Sequence, residues 1–269
     1  MIPERASILN TARPHSTFPQ ITVRGYDAVM SFQCGKALLI PIACAFLAAG
    51  SWPENEASSP APSLDSTQIV QQMQRHNLDQ DNKLNHYKAL RHYQVDYQGF
   101  PANASAKMDV EVEYDVSTGK SFRIVSESGP KFLLDKVLKR AVDSEKEASQ
   151  DKGLTAMSEA NYRFHLAGME NVAGRPAYML DVDPLKATKF LSRGRIWVDA
   201  ADFAVVKMET SPAKSPSIFI SRTTIHYTSA MTQNFWLPQA MRSETKVRIG
   251  GTAVFTIDYG TYRIGPKAQ

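Results

Sequence analysis

Much of the chain alternates between apolar and polar residues with a period of two, which is typical of half-buried β-strands. The segment KMDVEVEYDV shows the alternation most cleanly, because Val110, Val112 and Tyr114 are interleaved with Glu111 and Glu113. Successive side chains of a strand point to opposite faces of the sheet. The pattern therefore predicts that Val110, Val112 and Tyr114 line the interior and that the two glutamates face water.

The segment GRPAYMLDVDPLKATKFLSRGRIWVDAADFAVVKMET repeats this alternation in three short pieces. Tyr178 and Leu180 share one face of the first piece, and Ile196 and Val198 share one face of the second, with Trp197 on the opposite face. The letters AADF are short enough to form a hairpin turn before VVKME returns. Three strands with tight connections predict an antiparallel meander.

Two segments have a helical period instead. DSTQIVQQMQRHN predicts a helix with Ser66 or Thr67 as its N-cap and an apolar face, and residues 84–90 extend it. KFLLDKVLKRAVDSEKEAS carries an apolar stripe opposite a charged side. It predicts an amphipathic helix over residues 131–148 that lies on an apolar surface.

The hairpin turns predicted at GFPANAS, STGK and 171–174, together with three long C-terminal strands, predict nine or ten strands in all. The fold class is mainly β (α+β), with one N-terminal helix and one helix inserted after the third strand. No repeat of fixed period is present. Residues 66–269 are expected to form a single domain.

Composition excludes one class of partner. The chain has 269 residues, 43% of them hydrophobic, which is enough for a substantial core. Residues 1–50 contribute four of the 31 basic and two of the 27 acidic side chains, so the remainder carries a net charge of +2. A nucleic-acid partner is not expected at this charge.

The order of residues between Met30 and Gly50 is that of a secretory signal. Lys36 precedes an apolar run over residues 37–49, small residues follow, and a polar, proline-rich stretch begins at Ser51. Residues 30–50 are therefore predicted to be a signal peptide that is cleaved after Gly50. An uncleaved membrane anchor is the alternative, although the run is shorter than the ~20 apolar residues that a spanning helix needs.

The flanking segments complete this organisation. Residues 1–29 lack an apolar run and a helical period, which leaves open a translation start at Met30, and residues 51–65 are expected to be a linker. Both cysteines, Cys34 and Cys44, fall within the signal. A lipid-anchored form through Cys44 is a weaker alternative, because its preceding residues PIA lack the leucine that such a site prefers. The mature chain is expected to be exported, periplasmic and free of thiol chemistry.

Phosphate and metal chemistry find little support in the sequence. STGKS contains the Gly-Lys-Ser of a phosphate loop, but the required earlier glycine is replaced by Tyr114, so a hairpin turn is the better interpretation. The histidines at positions 76, 86 and 92 lie near Asp79 and Asp81 without the spacing of a compact metal site. We expect no cofactor and no metal.

Nucleophilic and acid–base catalysis are equally weak candidates. The chain has no Gly-x-Ser-x-Gly, His-Glu-x-x-His or Cys-x-x-Cys motif. Asp181, Asp183, Asp199 and Asp202 offer paired carboxylates, but their positions are those of outward strand residues and turn formers. An exported hydrolase stays a minor alternative.

Several of these features together resemble the periplasmic lipoprotein-sorting superfamily, the LolA/LolB-like proteins. The motifs are the helix IVQQMQRH, the strand AGRPAYMLDVDP, the strand GRIWVD and the late FWLP, and the resemblance spans residues 66–264. The N-terminal domain of RseB-type regulators is similar too, although those proteins carry a second domain. The resemblance implies a curved antiparallel sheet that forms an incomplete barrel, with both helices covering its concave face.

The resemblance also implies a function. Such a cup binds lipid or lipoprotein acyl chains without catalysing a reaction, and a membrane-bound partner protein is the expectation for a regulatory relative. We expect the residues on the inner strand faces and on the apolar stripe of the inserted helix to contact the acyl chain: Tyr93, Val95, Val110, Val112, Tyr114, Leu134, Val137, Leu138, Tyr178, Leu180, Ile196 and Val198.

Overall fold

The structure, a computed structural model, describes residues 64–215, 220–248 and 250–265. The predicted signal peptide, the N-terminal extension and most of the linker lie outside the described residues. The strands are β1 (His86–Gly99), β2 (Ala104–Asp115), β3 (Gly119–Ser128), β4 (Tyr162–Val172), β5 (Arg175–Pro184), β6 (Ser192–Asp199), β7 (Val205–Pro212), β8 (Ile220–Thr232), β9 (Phe235–Val247), β10 (Gly251–Asp258) and β11 (Tyr262–Ile264).

All of these strands belong to one antiparallel sheet. Its order is β3-β2-β1-β10-β9-β8-β7-β6-β5-β4, and β11 pairs with the start of β1. Within the described residues, β3 and β4 form the two edges and do not pair with each other. The predicted fold class is confirmed: the protein is mainly β, with one large open antiparallel sheet.

The last predicted strand, TAVFTIDYGTYRI, is in fact two strands. Gly260 has a positive φ of 62°, and a Cβ there would lie 2.1 Å from the carbonyl oxygen of Leu90. The strand is therefore interrupted at this glycine, and β11 continues along the same neighbour: β10 pairs with residues 92–99 of β1 and β11 with residues 87–89, where Ile264 is opposite Tyr87. This break, which the alternating pattern did not indicate, explains the additional strand.

The predicted register of β2 is confirmed. Val110 and Val112 are fully buried, Tyr114 is half-buried, and Glu111 and Glu113 lie on the other face with partial exposure.

The N-terminal helix, α1, spans Ser66–Lys83. Its N-cap is Asp65, so the prediction of Ser66 or Thr67 was wrong by one or two residues. The Asp65 carboxylate accepts a hydrogen bond from the backbone N–H of Gln68 (2.7 Å), and the Gln68 side chain accepts one from the backbone N–H of Asp65 (3.0 Å). These reciprocal bonds form a capping box, which satisfies two amide groups at the helix start.

The prediction that α1 continues through residues 84–90 was wrong, because β1 begins at His86. Tyr87, Ala89, Arg91 and Tyr93 are all buried at a spacing of two, which is the period of a strand. The strand hydrogen bonds to β2 and β11 outweigh the weak helical pattern of this segment.

The second predicted helix is confirmed and extends to residue 150. It consists of α2 (Lys131–Leu133), a π-helical turn (Leu134–Leu138) and α3 (Lys139–Gln150), which we call together the inserted helix. Its apolar stripe is buried: Leu133, Leu134, Val137, Leu138, Ala141 and Val142. A short 3-10 turn (Lys152–Leu154) follows it.

Each helix covers a different part of the concave face. The inserted helix contacts β1, β2 and β3, and its stripe belongs to the first core cluster, which includes Tyr93, Val112, Leu138 and Phe255. The helix α1 contacts β4, and its apolar face belongs to the second core cluster, which includes Ile69, Met73, Leu180, Val182, Ile196 and Val198. The apolar side chains on the concave face therefore form two separate clusters, one beneath each helix.

The outer face is also buried at one place. Trp197 lies on the predicted outward face of β6 but is only 4% exposed, because Ala177, Val206 and Met179 pack around it. Its indole N–H donates to Glu170 (2.8 Å), and the Lys207 ammonium lies 4.0 Å from the ring centre. A cation over an indole ring is a stabilising contact.

Candidate ligand site between the two core clusters

A cavity of about 290 Å³ lies between the C-terminal half of α1, the β2–β3 hairpin, the segment after the inserted helix and strands β7–β9. It is lined by residues from all of these elements: His76, Asn77, Gln80, Asp81, Leu84, Tyr87, Tyr114, Val116, Gly119, Lys120, Ser149, Lys152, Thr155, Met157, Ala204, Val205, Met208, Tyr227, Ser229, Trp236, Leu237 and Pro238. Its volume is close to the lower end of the ~300–1,000 Å³ of typical ligand sites.

Aromatic and sulfur-containing side chains form the apolar walls. The rings of Tyr87 and Tyr114 stack with centres 5.4 Å apart on one side of the cavity. Met157 and Met208 line the cavity as well, and both belong to the second core cluster. Methionine side chains adapt their shape to irregular apolar surfaces, so these walls can accommodate a flexible hydrocarbon chain.

Trp236 connects β9 to α1 at the edge of the cavity. Its backbone N–H donates to Gln80 Oε1 (2.8 Å), and its backbone carbonyl accepts from Gln80 Nε2 (3.0 Å). The indole N–H donates to Asp202 (3.1 Å), which also pairs with Arg175. These bonds hold the C-terminal half of α1 in a fixed position against the sheet.

One buried polar atom in the cavity wall has no hydrogen-bond partner. It is Nε2 of His76, on the same helix as Gln80. Burial lowers the pKa of His76 below its ordinary value of 6.5, although the carboxylates of Asp202 and Asp79 act in the opposite direction. The side-chain hydrogen bond with Gln80 also acts to raise the pKa, but burial outweighs these effects and favours the neutral ring.

A buried ion pair joins the inserted helix to the sheet beside the cavity. Arg91, on the inner face of β1, donates to both carboxylate oxygens of Glu145 at 2.8 Å. The side chains of Arg91 and Glu145 are 0% and 3% exposed. Lys120, which lines the cavity, lies 3.5 Å from the same carboxylate, and the Arg91 guanidinium is 4.6 Å from the ring centre of Tyr259.

The structure separates the residues that the sequence predicted as ligand contacts. Seven of them pack in the first core cluster: Tyr93, Val95, Val110, Val112, Leu134, Val137 and Leu138. Leu180, Ile196 and Val198 pack in the second core cluster, and Tyr178 packs against it. Tyr114 alone among the twelve lines the cavity. Ten of the other eleven are buried in the two clusters, and Tyr178 is half-buried.

Sequence reasoning missed most of the residues that do line the cavity. His76, Gln80 and Trp236 come from α1 and β9, which are about 156 residues apart along the chain. One signal was present, because the polar residues His76, Asn77 and Gln80 recur at i, i+1 and i+4, a spacing that places them on one side of a helix.

The other candidate chemistries do not assemble. Among the described residues, no group of three or more metal-ligating side chains is present. The turn between β2 and β3 lies at residues 116–118 and β3 begins at Gly119, so STGKS spans the end of a hairpin turn and the start of a strand. Asp199 and Asp202 both pair with Arg175, and Asp181 pairs with Arg195, so these carboxylates are engaged in ion pairs with arginines.

A cluster of serine, aspartate and histidine on the outer face lacks a catalytic arrangement. Ser126 Oγ donates to Asp109 (2.7 Å), and the other Asp109 oxygen lies 2.7 Å from His92 Nδ1. The hydrogen bonds with Ser126 and then His92 lower the pKa of Asp109. Because the serine hydroxyl is bonded to the carboxylate and not to the imidazole, this arrangement does not activate it as a nucleophile.

A comparison with known proteins finds several solved structures that are similar to this chain. No family model matches the chain, and no curated protein matches it. The chain is similar to an outer membrane lipoprotein-sorting protein domain from Vibrio parahaemolyticus (12% identity, 74% of this chain and 93% of the other, TM-score 0.38). It is also similar to a LolA superfamily protein from Nitrosomonas europaea (10% identity, 77% and 96%, TM-score 0.37).

A more distant match is the complex of MucA and MucB from Pseudomonas aeruginosa (11% identity, 73% of this chain and 98% of the other, TM-score 0.24). The first two proteins are of the kind that the sequence motifs indicated. At these identities and TM-scores no function is transferred to this chain. Within the described residues, no helix is long and apolar enough to span a membrane.

Proposed function

We propose that this protein is a non-enzymatic periplasmic carrier that binds an acyl chain of a lipid or lipoprotein in the cavity between the two core clusters. The observation that carries the proposal is the cavity itself, a space with apolar walls on the concave side of an open sheet. Moving an acyl chain into such a space is favourable by ~0.8 kcal/mol for each buried methylene.

The size of the cavity indicates that the protein opens further when a long chain enters. A volume of about 290 Å³ is small for a lipid. Lys120 lines the cavity and lies 3.5 Å from Glu145, which pairs with the buried Arg91. Displacement of the inserted helix would expose its stripe, including Leu134, and with it the inner faces of β1 and β2.

The tryptophan in the cavity wall offers a direct test. A monoacylglycerol with a brominated acyl chain quenches an indole that it touches, so we expect it to reduce the emission of Trp236 in the wild-type protein. The matched control is Trp236→Phe, in which the same probe should quench the remaining emission much less. The remaining emission comes from Trp52, which lies outside the described residues, and from Trp197, which is buried in the cluster against which Trp236 also packs, so the variant and not Trp197 is the reference.

Native mass spectrometry and lipid extraction of the purified protein complete the experiment. Co-purified acyl chains, together with quenching that depends on Trp236, would support the carrier. Absence of quenching in the wild type, or equal quenching in wild type and Trp236→Phe, would contradict it.

A further inference from the structure

The opening of the cavity to solvent lies beside an ion pair. Of the described residues that line the cavity, Val116, Gly119 and Lys152 are the exposed ones. Solvent therefore reaches the cavity between the β2–β3 turn and the 3-10 turn that follows the inserted helix. The Lys152 ammonium lies 3.0 Å from a carboxylate oxygen of Asp81, which is in the last turn of α1 and also lines the cavity.

The backbone on both sides of this ion pair is held in place. The helix α1 is fixed to β9 by the two hydrogen bonds of Gln80. On the other side, Asn161 Nδ2 donates to the backbone carbonyls of Gly153 and Ala156, both at 2.9 Å. The part of this region that can move is thus the side chain of Lys152, a flexible four-carbon stem with a charged end.

The exposure of the pair determines how easily it separates. The side chains of Lys152 and Asp81 are 43% and 26% exposed, so water can solvate both charges when they part. An ion pair of this kind is weak and is screened further by salt. It therefore separates often, in contrast to the buried pair of Arg91 and Glu145.

We propose that the Asp81–Lys152 ion pair is a side-chain gate that controls the entry of an acyl chain into the cavity. The inference rests on the proposed carrier function and adds the regulation of its site. When the pair separates, the Lys152 side chain turns into water and widens the opening. No backbone segment has to move, so the gate acts on short acyl chains that fit the cavity without displacement of the inserted helix.

Stopped-flow fluorescence measures the gate. The probe is mono-octanoylglycerol with a brominated acyl chain, which is uncharged and quenches Trp236 on entry. Asp81→Asn keeps the shape of the side chain and removes the charge that attracts Lys152. The association rate should rise about two- to fivefold, the factor that corresponds to an exposed ion pair. Because the gate is a barrier and not a contact with the ligand, dissociation should accelerate equally and Kd should stay unchanged.

The matched control is another ion pair of the same exposure. Lys88 and Glu113 lie 3.2 Å apart and are 45% and 27% exposed, and neither residue lines the cavity. Glu113→Gln should therefore leave both rates unchanged. A variant that combines Asp81→Lys with Lys152→Asp restores an ion pair with reversed charges, and it should bring the association rate back towards that of the wild type.

Salt tests the gate in the wild-type protein. Raising NaCl from about 0.05 M to about 0.5 M screens the pair, so the association rate of the uncharged probe should rise towards that of Asp81→Asn. The rate of Asp81→Asn itself should change much less, because its gate has no charge pair to screen.

The outcomes distinguish the gate from the carrier function. Equal association rates in wild type and Asp81→Asn, or an equal acceleration in Glu113→Gln, would overturn the gate and leave the carrier function intact. A wild-type rate that does not change with salt would overturn it as well, and this measurement decides even if a variant does not fold. If the probe does not quench the wild-type protein, both proposals fail.

Discussion

The two helices on the concave face are held in different ways. The helix α1 begins with a capping box, buries Ile69 and Met73 completely, and is fixed to β9 by two hydrogen bonds from Gln80. The inserted helix begins at Lys131 after Pro130, which provides no side-chain cap, and it contains a π-helical turn. It is joined to the sheet by the buried ion pair of Glu145 as well as by its apolar stripe.

This difference indicates which helix is able to move. The inserted helix has no side-chain cap at its start and contains a π-helical turn, a feature that is frequent at functional sites. The inserted helix is therefore the better candidate for a lid, and α1 is a fixed wall of the cavity.

The two halves also place their strongest ion pairs on opposite faces of the sheet. Arg91 and Glu145 lie inside, between the inserted helix and β1. Arg175 and Asp199 lie at the outer face of the other half, where Arg175 donates to both Asp199 oxygens at 2.6 and 2.8 Å. The first pair joins a helix to the sheet, and the second joins neighbouring hairpins.

The largest effect is expected for Arg91→Met. This change leaves the Glu145 carboxylate buried with only Lys120 at 3.5 Å, so the free energy of unfolding should fall by ~3–5 kcal/mol. Urea denaturation followed by circular dichroism measures it. The control is Arg91→Met combined with Glu145→Met, which removes both charges and should restore most of the stability. A loss below ~1 kcal/mol in the single variant would contradict the role of the pair.

A smaller effect is expected for Asp199→Asn at the outer face. The Asp199 carboxylate is 1% exposed and accepts bonds from Arg175 and two backbone amides, so its loss should cost ~1.5–3 kcal/mol. Asp181→Asn is the matched control. Asp181 also pairs with an arginine through two bonds but is 41% exposed, so its loss should cost at most ~1 kcal/mol. Equal losses would show that burial of the pair is unimportant.

The same pair predicts a pH dependence. Burial raises the pKa of Asp199, but the bonds from Arg175 and the backbone amides outweigh it, and the pKa lies below its ordinary value of 3.8. A carboxyl whose folded pKa is lowered stabilises the fold above its unfolded pKa and loses this contribution as the pH falls. The difference in unfolding free energy between wild type and Asp199→Asn should therefore shrink below about pH 4. Urea denaturation between pH 6 and 3 measures this difference, and a constant value across the range would contradict the prediction.

Local patterns in the sequence were sufficient for most of the fold. The alternation around Val112 predicted the register of β2, and the stripe around Leu138 predicted the inserted helix, because both depend on a period within one element. The cavity could not be predicted in this way. It depends on contacts such as that between Gln80 and Trp236, which lie 156 residues apart and follow only from the complete sheet order.

The burial of Arg91, unlike the cavity, could have been predicted from the sequence. It occupies the inward position in the series Tyr87, Ala89, Arg91, Tyr93 and Val95, so the period of two already placed a charged residue inside an apolar face. A buried arginine requires a carboxylate partner. Its partner, Glu145, occupies a position on the inserted helix that the sequence did not mark as buried, since it lies in the polar segment DSEKE.

The smallest predicted effect concerns the start of α1 and the contrast between the two helices. Asp65→Ala removes the carboxylate that bonds the backbone N–H of Gln68, so stability should fall by ~0.5–2 kcal/mol. Ser66→Ala and Thr67→Ala are the controls, because both residues were equally plausible caps from the sequence but lie inside the helix in the structure. They should change stability by no more than ~0.5 kcal/mol.

Hydrogen exchange then measures the opening of each helix independently. In Asp65→Ala, exchange should rise in the first turn of α1, where the capped amides lie, and stay unchanged in the inserted helix, which has no side-chain cap to lose. If exchange rose equally in both helices, they would open together, and α1 would not be a fixed wall. If Ser66→Ala cost as much as Asp65→Ala, the cap would be shared between the two residues, and the assignment of Asp65 as the N-cap would be wrong.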